Sequence, residues 1–361
     1  MNLVELAEEL ERQKKTKKDY VVNSNNMVVI VDKETNSIKM DIPIPDHPKG
    51  KGTREAFPLT NVCHTHIAEK TPIGTRYYKR MLEDGKLDLL KDNIMEYLPT
   101  DDNRMVRLLD TEADGIVRMR AMLSNSYRII DNYDVLMNAM DICKNKISHM
   151  NIEFKDVRLS ETRLYIKAIS KKLIDDIHTL KGRDVIEGGV LIMNSEVGFG
   201  KYKCIPFLNV VRCTNGLIGQ EAFTKVHLGL KMSEGLIDWS DETLRNQDEL
   251  LWSQITDVIT ATFNPEIMQS WVNKINEVST VELEEPTIAL NNIVKTYKIP
   301  KNKRDDLLMH FGNEEPTLWG ISNAVTRMAK DEQNYDNQIE YEEIGRKILE
   351  MKPKAVCKQI A

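Results

Sequence analysis

The chain has 361 residues and a mass of 41.6 kDa, with 50 Lys and Arg against 56 Asp and Glu and a formal charge of -6. Apolar residues make up 41% and charged residues 29%, the balance of a globular protein long enough to bury a large core. No apolar run approaches the ~20 residues of a membrane-spanning helix, and the N-terminus carries acids where a secretory signal needs bases. The five cysteines (Cys63, Cys143, Cys204, Cys213, Cys357) are scattered and form no CxxC. That usage predicts neither a disulfide framework nor structural zinc, and it fits a reducing cytoplasm.

The charge is uneven. Residues 1–230 carry about +2 and residues 231–361 about -8, which together make the -6 of the whole chain. A pI of 5.8 argues against a uniformly basic nucleic-acid binder but leaves room for a basic stripe on one face.

In chain order, Leu3, Leu6, Ala7 and Leu10 fall at helical spacing and predict a short amphipathic helix over 3–18. The basic run RQKKTKK closes it. MVVIVDKETNSIKMDI predicts a hairpin, and residues 43–52 a Pro/Gly loop. Residues 57–98 read as helical, with Thr60 as a cap and a break at Gly85. DGIVRMRAMLS reads as a strand. Asp131 is expected to cap the next helix, whose apolar stripe (Val135, Leu136, Ala139, Ile142, Cys143) places Cys143 in the core.

From 151 to 235 the texture is β. Leu164, Ile166 and Ala168 alternate with Arg163, Tyr165 and Lys167, which predicts a half-buried strand with a basic and aromatic outer face. Two more strands follow, joined at Gly198–Gly200. Asn215-Gly216 signals a tight turn, and AFTKVHLGLK a fourth strand. Beyond Ser240, a candidate cap, the pattern is helical, with Pro265 opening one helix and others near 285–297, 303–311, 317–331 and 338–351. The fold class expected is α+β: an N-terminal helical segment, a central antiparallel β-meander and C-terminal helices packed on the sheet. The segments are 1–52, 53–150, 151–235 and the acidic 236–361.

Catalytic and cofactor signals are weak. Cys63, His64 and His66 in NVCHTH lack a second ligand pair at zinc-like spacing, and His149, His178, His227 and His310 are isolated. GFGK precedes a strand, so it is no phosphate loop. No GxSxG, HExxH or kinase motif occurs, so no cofactor and no metal are expected. Glu196, Arg212 and Asn215 form a conceivable enzyme cluster if strand ends bring them together. The more suggestive pattern is basic and aromatic interleaving from about 118 to 228. Single-stranded nucleic acid is bound by cationic grooves and stacking rings; a solvated sheet face is the plainer alternative. Arg120, Tyr127, Arg128, Lys201, Lys203 and Arg212 are the candidate phosphate contacts, with Tyr202 as a candidate stacking platform.

Several stretches, taken in order, resemble one family. They are RAMLSNSYRIIDNYDVL (120–136), GGVLIMNSEVGFGKYKCIPFLNVVRCTNGLI (188–218), TLWGISNAVTRMAKDEQNYDNQIEYEEIGRKILE (317–350) and IAEKTPIGTRYYKRMLEDGKLDLLKDNI before them. The resemblance is to the phage/plasmid-like family catalogued as domain-of-unknown-function family 932, and it covers roughly residues 55–350. It implies a mobile-element protein of the bacterial cytoplasm. A β-meander followed by a long helix is also similar in architecture to single-strand annealing recombinases, which implies an oligomer acting on single-stranded nucleic acid in recombination or replication. The alternatives are a host-modulating or anti-defence factor docking a host protein through its acidic C-terminal helices, and an enzyme acting on nucleotides or nucleic acid. No membrane partner is expected.

Overall fold

The computed structural model describes residues 1–45, 52–212, 215–219, 223–225 and 241–358. Most of the 43–52 loop, Cys213, His227 and the Ser240 cap therefore lie outside the described residues.

The chain opens with α1 (Leu3–Thr16), capped by Asn2 and Glu5 in a reciprocal capping box. Strand β1 (Lys18–Asn23) follows, then the hairpin β2 (Val28–Asp32) and β3 (Ser37–Pro43), β4 (Arg54–Pro58), α2 (Asn61–Lys70), α3 (Thr75–Glu83), α4 (Leu87–Tyr97), β5 (Asn103–Leu109), β6 (Arg118–Ser124) and α5 (Asn132–Asp141). These build two three-stranded antiparallel sheets, β1-β5-β6 and β2-β3-β4. Val29, Met40, Phe57, Ile67, Tyr78 and Leu90 contribute to their shared core.

Two strands run against expectation. β1 begins inside the basic run, and β5 has no clean alternation because it is central in its sheet, with a buried run from Met105 to Leu109. β4 likewise replaces the start of the region read as helical. The Thr60 cap holds, its hydroxyl accepting from the Cys63 amide at 3.2 Å, and α3 and α4 part at Gly85.

The larger sheet comprises β7 (Ile152–Leu159), β8 (Leu164–Thr179), β9 (Gly182–Asn194), β10 (Tyr202–Val210), β11 (Asn215–Ile218) and β12 (Phe223–Lys225). Its order is β11-β10-β9-β8-β7, with β12 also pairing β10. Asn215 and Gly216 belong to β11, opposite Val210 and Asn209, and not to a turn tip. Glycine fits there because a Cβ at 216 would lie 2.3 Å from the Phe207 ring. Six longer helices follow: α6 (Asp241–Thr262), α7 (Pro265–Ser279), α8 (Pro286–Thr296), α9 (Lys301–Phe311), α10 (Leu318–Ala329) and α11 (Tyr335–Leu349). The short α12 (Pro353–Val356) ends the described chain. The α+β class and the packing of C-terminal helices on an antiparallel sheet are as expected.

Both faces of this sheet are covered. Leu164, Ile166, Val190, Ile192 and Leu208 join Leu6 and Leu10 of α1, Val135 and Leu136 of α5 and Ile255 and Ile259 of α6 in the main core. The opposite face was expected to be wet. Instead Tyr165, Leu191, Met193, Ile205 and Phe207 pack beneath Ile339 of α11. Tyr165 is 1% exposed and Lys167 6%. Lys167 Nζ donates to both Glu342 oxygens at 2.7 and 2.8 Å, and the Tyr165 ring meets Tyr335 edge-on at 4.8 Å. The basic and aromatic face is covered because α11 brings a carboxylate and a ring at matching positions.

Helix α10 is buried almost all round, as its apolar composition requires. It crosses α11 closely: a Cβ at Gly345 would lie 2.5 Å from the Thr326 methyl. Gly345→Val is therefore expected to cost ~1–3 kcal/mol of stability through overpacking, read as a lowered urea midpoint. Lys167→Met should cost ~3–5 kcal/mol by leaving Glu342 buried without its partner, whereas Lys167→Met with Glu342→Leu should recover most of that loss. Equal losses in the single and double variants would show that the pair is not the cause.

Candidate functional site

The sequence segments 120–136 and 188–218 meet at the turn between β9 and β10. Glu196, in that turn, is the hub. Its Oε2 accepts from Arg120 Nη1 at 2.8 Å and lies 3.6 Å from Arg107 Nη1. Its Oε1 accepts from the Asn132 amide at 2.6 Å, so a carboxylate satisfies the first free N–H of α5, where the helix dipole favours negative charge. Arg107, 0% exposed, also donates to Asp19 at 2.8 and 2.9 Å and to Asp131 at 3.3 Å. Lys17 pairs with the other oxygen of Asp131. Burial opposes the charge on Arg107, but the hydrogen bonds to Asp19 and the charges of Glu196, Asp19 and Asp131 outweigh it and hold the guanidinium above its ordinary value. Asp131 stands at the N-cap of α5 as expected, yet its carboxylate makes no cap bond; it is spent on Lys17 and Arg107.

The seven predicted contact residues separate into two groups. Arg120, 5% exposed, is held by Glu196 and by the Glu161 carbonyl. Tyr202, 1% exposed, packs in the core with its hydroxyl 3.2 Å from Cys204 Sγ, and burial raises its pKa. A stacking platform must offer a face to a base, and this ring offers none. Arg212 is clamped between Asp184 at 2.9 Å and Glu314 at 2.8 Å. These three are accounted for by the fold.

Tyr127 bonds the β9–β10 turn and Lys201 and Lys203 border it, while Arg128 follows Tyr127 in the chain. The Tyr127 hydroxyl donates to the Ser195 carbonyl at 2.7 Å and accepts from the Gly198 amide at 3.2 Å, and burial holds the phenol protonated above its ordinary range. Gly198 has φ +79, a backbone that a side chain would strain, so the turn can fold over Tyr127. Lys201 is exposed and Lys203 half-buried. Both line a cleft of about 270 Å³ with Arg163, Tyr165 and the first turns of α11. Arg163 is already committed to the Phe199 carbonyl and to Asp336, and Glu340 and Glu343 share the rim.

The enzyme cluster does not assemble. Glu196 lies in the turn before β10 and Arg212 beyond its far end, so they are separated by a nine-residue strand, about 30 Å at 3.3 Å per residue. The Asn215 side chain lies outside the described residues. A wider cleft of about 470 Å³ opens beside α1 and the start of α2; its floor arginines, Arg118 and Arg120, are neutralised by Asp114 and Glu196.

Among the described residues, no group of three or more metal-ligating side chains forms, and no helix is long and apolar enough to cross a membrane. NVCHTH is structural. Burial pushes the Cys63 thiol above its ordinary range. His64 Nδ1 meets the Tyr78 hydroxyl at 2.9 Å. His66 Nδ1 accepts from the Met122 amide at 3.2 Å, and its ring stacks on Phe199 at 5.2 Å. Burial lowers both histidines to about 4.

His66 gives stability a pH dependence. Above its ordinary value of 6.5 both states are neutral. Between 6.5 and about 4 the unfolded chain takes the proton first, so stability falls as pH falls, by up to ~3 kcal/mol. His66→Asn, which keeps an acceptor for Met122, is expected to flatten the decline of the urea midpoint between pH 7 and 4.5; an unchanged slope would assign that decline to other groups. Comparison with known proteins finds no matching family model, no matching curated protein and no matching solved structure.

Proposed function

We propose that this chain binds single-stranded nucleic acid without covalent chemistry, as a mobile-element protein of the bacterial cytoplasm acting in recombination or replication, with strand annealing by an oligomer as its most specific form. The observation that supports the proposal is that Lys201 and Lys203 line one cleft with Arg163 beside the β9–β10 turn, a turn held by hydrogen bonds of Tyr127 and Ser195. Lysines beside a turn held by a fixed scaffold suit the phosphates of a single strand. The resemblance set out above supports the same assignment.

The alternative of a host-docking acidic surface draws less support. Asp336, Glu342, Glu314 and Glu332 of the C-terminal helical region are already paired, with Arg163, Lys167, Arg212 and Lys303. Paired, partly desolvated carboxylates do not attract a partner as free ones do.

Fluorescence anisotropy with a labelled 20-nucleotide single strand tests the proposal. Binding should weaken steeply with salt, and Lys201→Gln with Lys203→Gln should lower the slope of log affinity against log salt by about one. Absence of binding at 20 mM salt sinks the proposal.

A further inference from the structure

The loop between β5 and β6 reads Asp-Thr-Glu-Ala-Asp-Gly from Asp110 to Gly115. Acids at alternate positions followed by glycine open a calcium loop, in which positions one, three and five supply carboxylates and position seven a carbonyl. Those positions are Asp110, Glu112, Asp114 and Ile116 here. The loop departs from an EF-hand in two ways. It joins strands and not helices, and position twelve is Ala121, buried in β6. An ion would therefore be held by the first seven residues and water.

Spaced acids alone are common on protein surfaces. Asp110 is different: it is 7% exposed and its Oδ1 has no hydrogen-bond partner, a costly arrangement for a buried carboxylate. Its Oδ2 accepts from the Gly115 amide at 3.1 Å across the loop and lies 3.6 Å from Arg12 Nη1, so the carboxylate points into the loop with one oxygen unused. The rest of the set is filled by the chain itself. Arg118 Nη1 donates to Asp114 Oδ1 at 2.9 Å and to the Ile116 carbonyl at 3.1 Å. Its Nη2 donates to Asp114 Oδ2 at 2.6 Å and to Glu112 Oε2 at 3.2 Å. One guanidinium thus holds the oxygens of positions three, five and seven and leaves position one unpaired. With it in place the three acids do not converge as a ligand set.

We propose that this loop is a calcium site whose resting occupant is the Arg118 guanidinium. The ion takes Asp110 Oδ1, Glu112, Asp114 and the Ile116 carbonyl, and water completes its shell. An all-oxygen, acid-rich set selects calcium or magnesium over zinc or copper, and an exposed loop that imposes no tight octahedron suits the larger ion. Charge favours the exchange. Three carboxylates face one guanidinium and Arg12, which is shared with Glu9, and a dication replaces a monocation. Thr111, Glu112 and Arg118 line the cleft of about 470 Å³ beside α1, so the ion has an entry and the displaced side chain has room. The site is independent of the nucleic-acid-binding proposal and stands or falls without it.

Isothermal titration calorimetry of the calcium-free full chain tests the proposal. Calcium should bind at one site per chain with a Kd of ~0.1–1 mM, the weak end for such loops because Arg118 must leave, and magnesium about tenfold more weakly. Calcium at about 10 mM should raise the melting temperature by about 2 °C. Arg118→Gln, which removes the competing cation, should tighten calcium binding about tenfold or more. Asp110→Asn should abolish binding. Asp114→Asn, at an exposed position that leaves the core intact, should do the same. No calcium binding by the wild type at about 10 mM overturns the proposal, even if Arg118→Gln binds, because the arginine would then have replaced the ion for good. Unchanged affinity in Arg118→Gln, or wild-type affinity in either folded aspartate variant, also overturns it. Magnesium binding as tightly as calcium overturns the choice of ion.

Discussion

The fold depends on one buried cluster of charge. Arg107 has no solvent of its own, and its five donors face Asp19, Asp131 and Glu196. These carboxylates come from β1, the start of α5 and the β9–β10 turn, which are distant in sequence. Two further cations, Lys17 and Arg120, close the set. Three positive and three negative groups leave no net charge to desolvate. Such a cluster adds little net stability over an apolar core, but breaking it strands a buried charge at a cost of ~3–5 kcal/mol. Its effect is selective: the small β1-β5-β6 sheet can dock on the large one in the single arrangement that pairs every member.

The same logic governs the other end of the sheet. The acidic excess of residues 231–361 does not simply face water. Glu342 enters the sheet face to meet Lys167, Asp336 meets Arg163, and Glu314 reaches both Arg212 and Arg327. Three ion pairs thus join the acidic C-terminal region to the β-rich middle. Ile339 and Tyr335 supply the apolar part of that contact. A face that would read as a cationic groove in isolation is therefore an interior surface of the folded chain.

This explains which features the sequence reveals. Caps, helix breaks and strands are local, and Thr60, Gly85, Pro265 and the strand through Leu164–Ala168 all read correctly. β1 and β5 were hidden because a basic run and a continuous buried segment mask the period of two. Burial was the harder quantity. Whether Tyr165, Lys167 and Tyr202 face water depends on α11 and on the sheet's second layer, which lie more than a hundred residues away for the first two. Alternation tells which residues share a face; it is silent on what covers that face. The candidate site was thus legible only in part: the sequence names basic and aromatic residues, and it cannot tell that Arg120 and Tyr202 are buried.

Counting charge after pairing, and not before it, shifts attention along the molecule. A cation clamped by two carboxylates contributes almost no field beyond its neighbours, whereas one that stands alone projects its field over a Debye length of ~10 Å. By that measure the sheet, rich in basic residues, is electrostatically quiet where its cations are paired. The net charge of -6 hides this, because a paired acid and an unpaired one count alike in it. What a polyanion would meet at the surface of this protein is the charge that pairing leaves over, not the charge that the sequence counts.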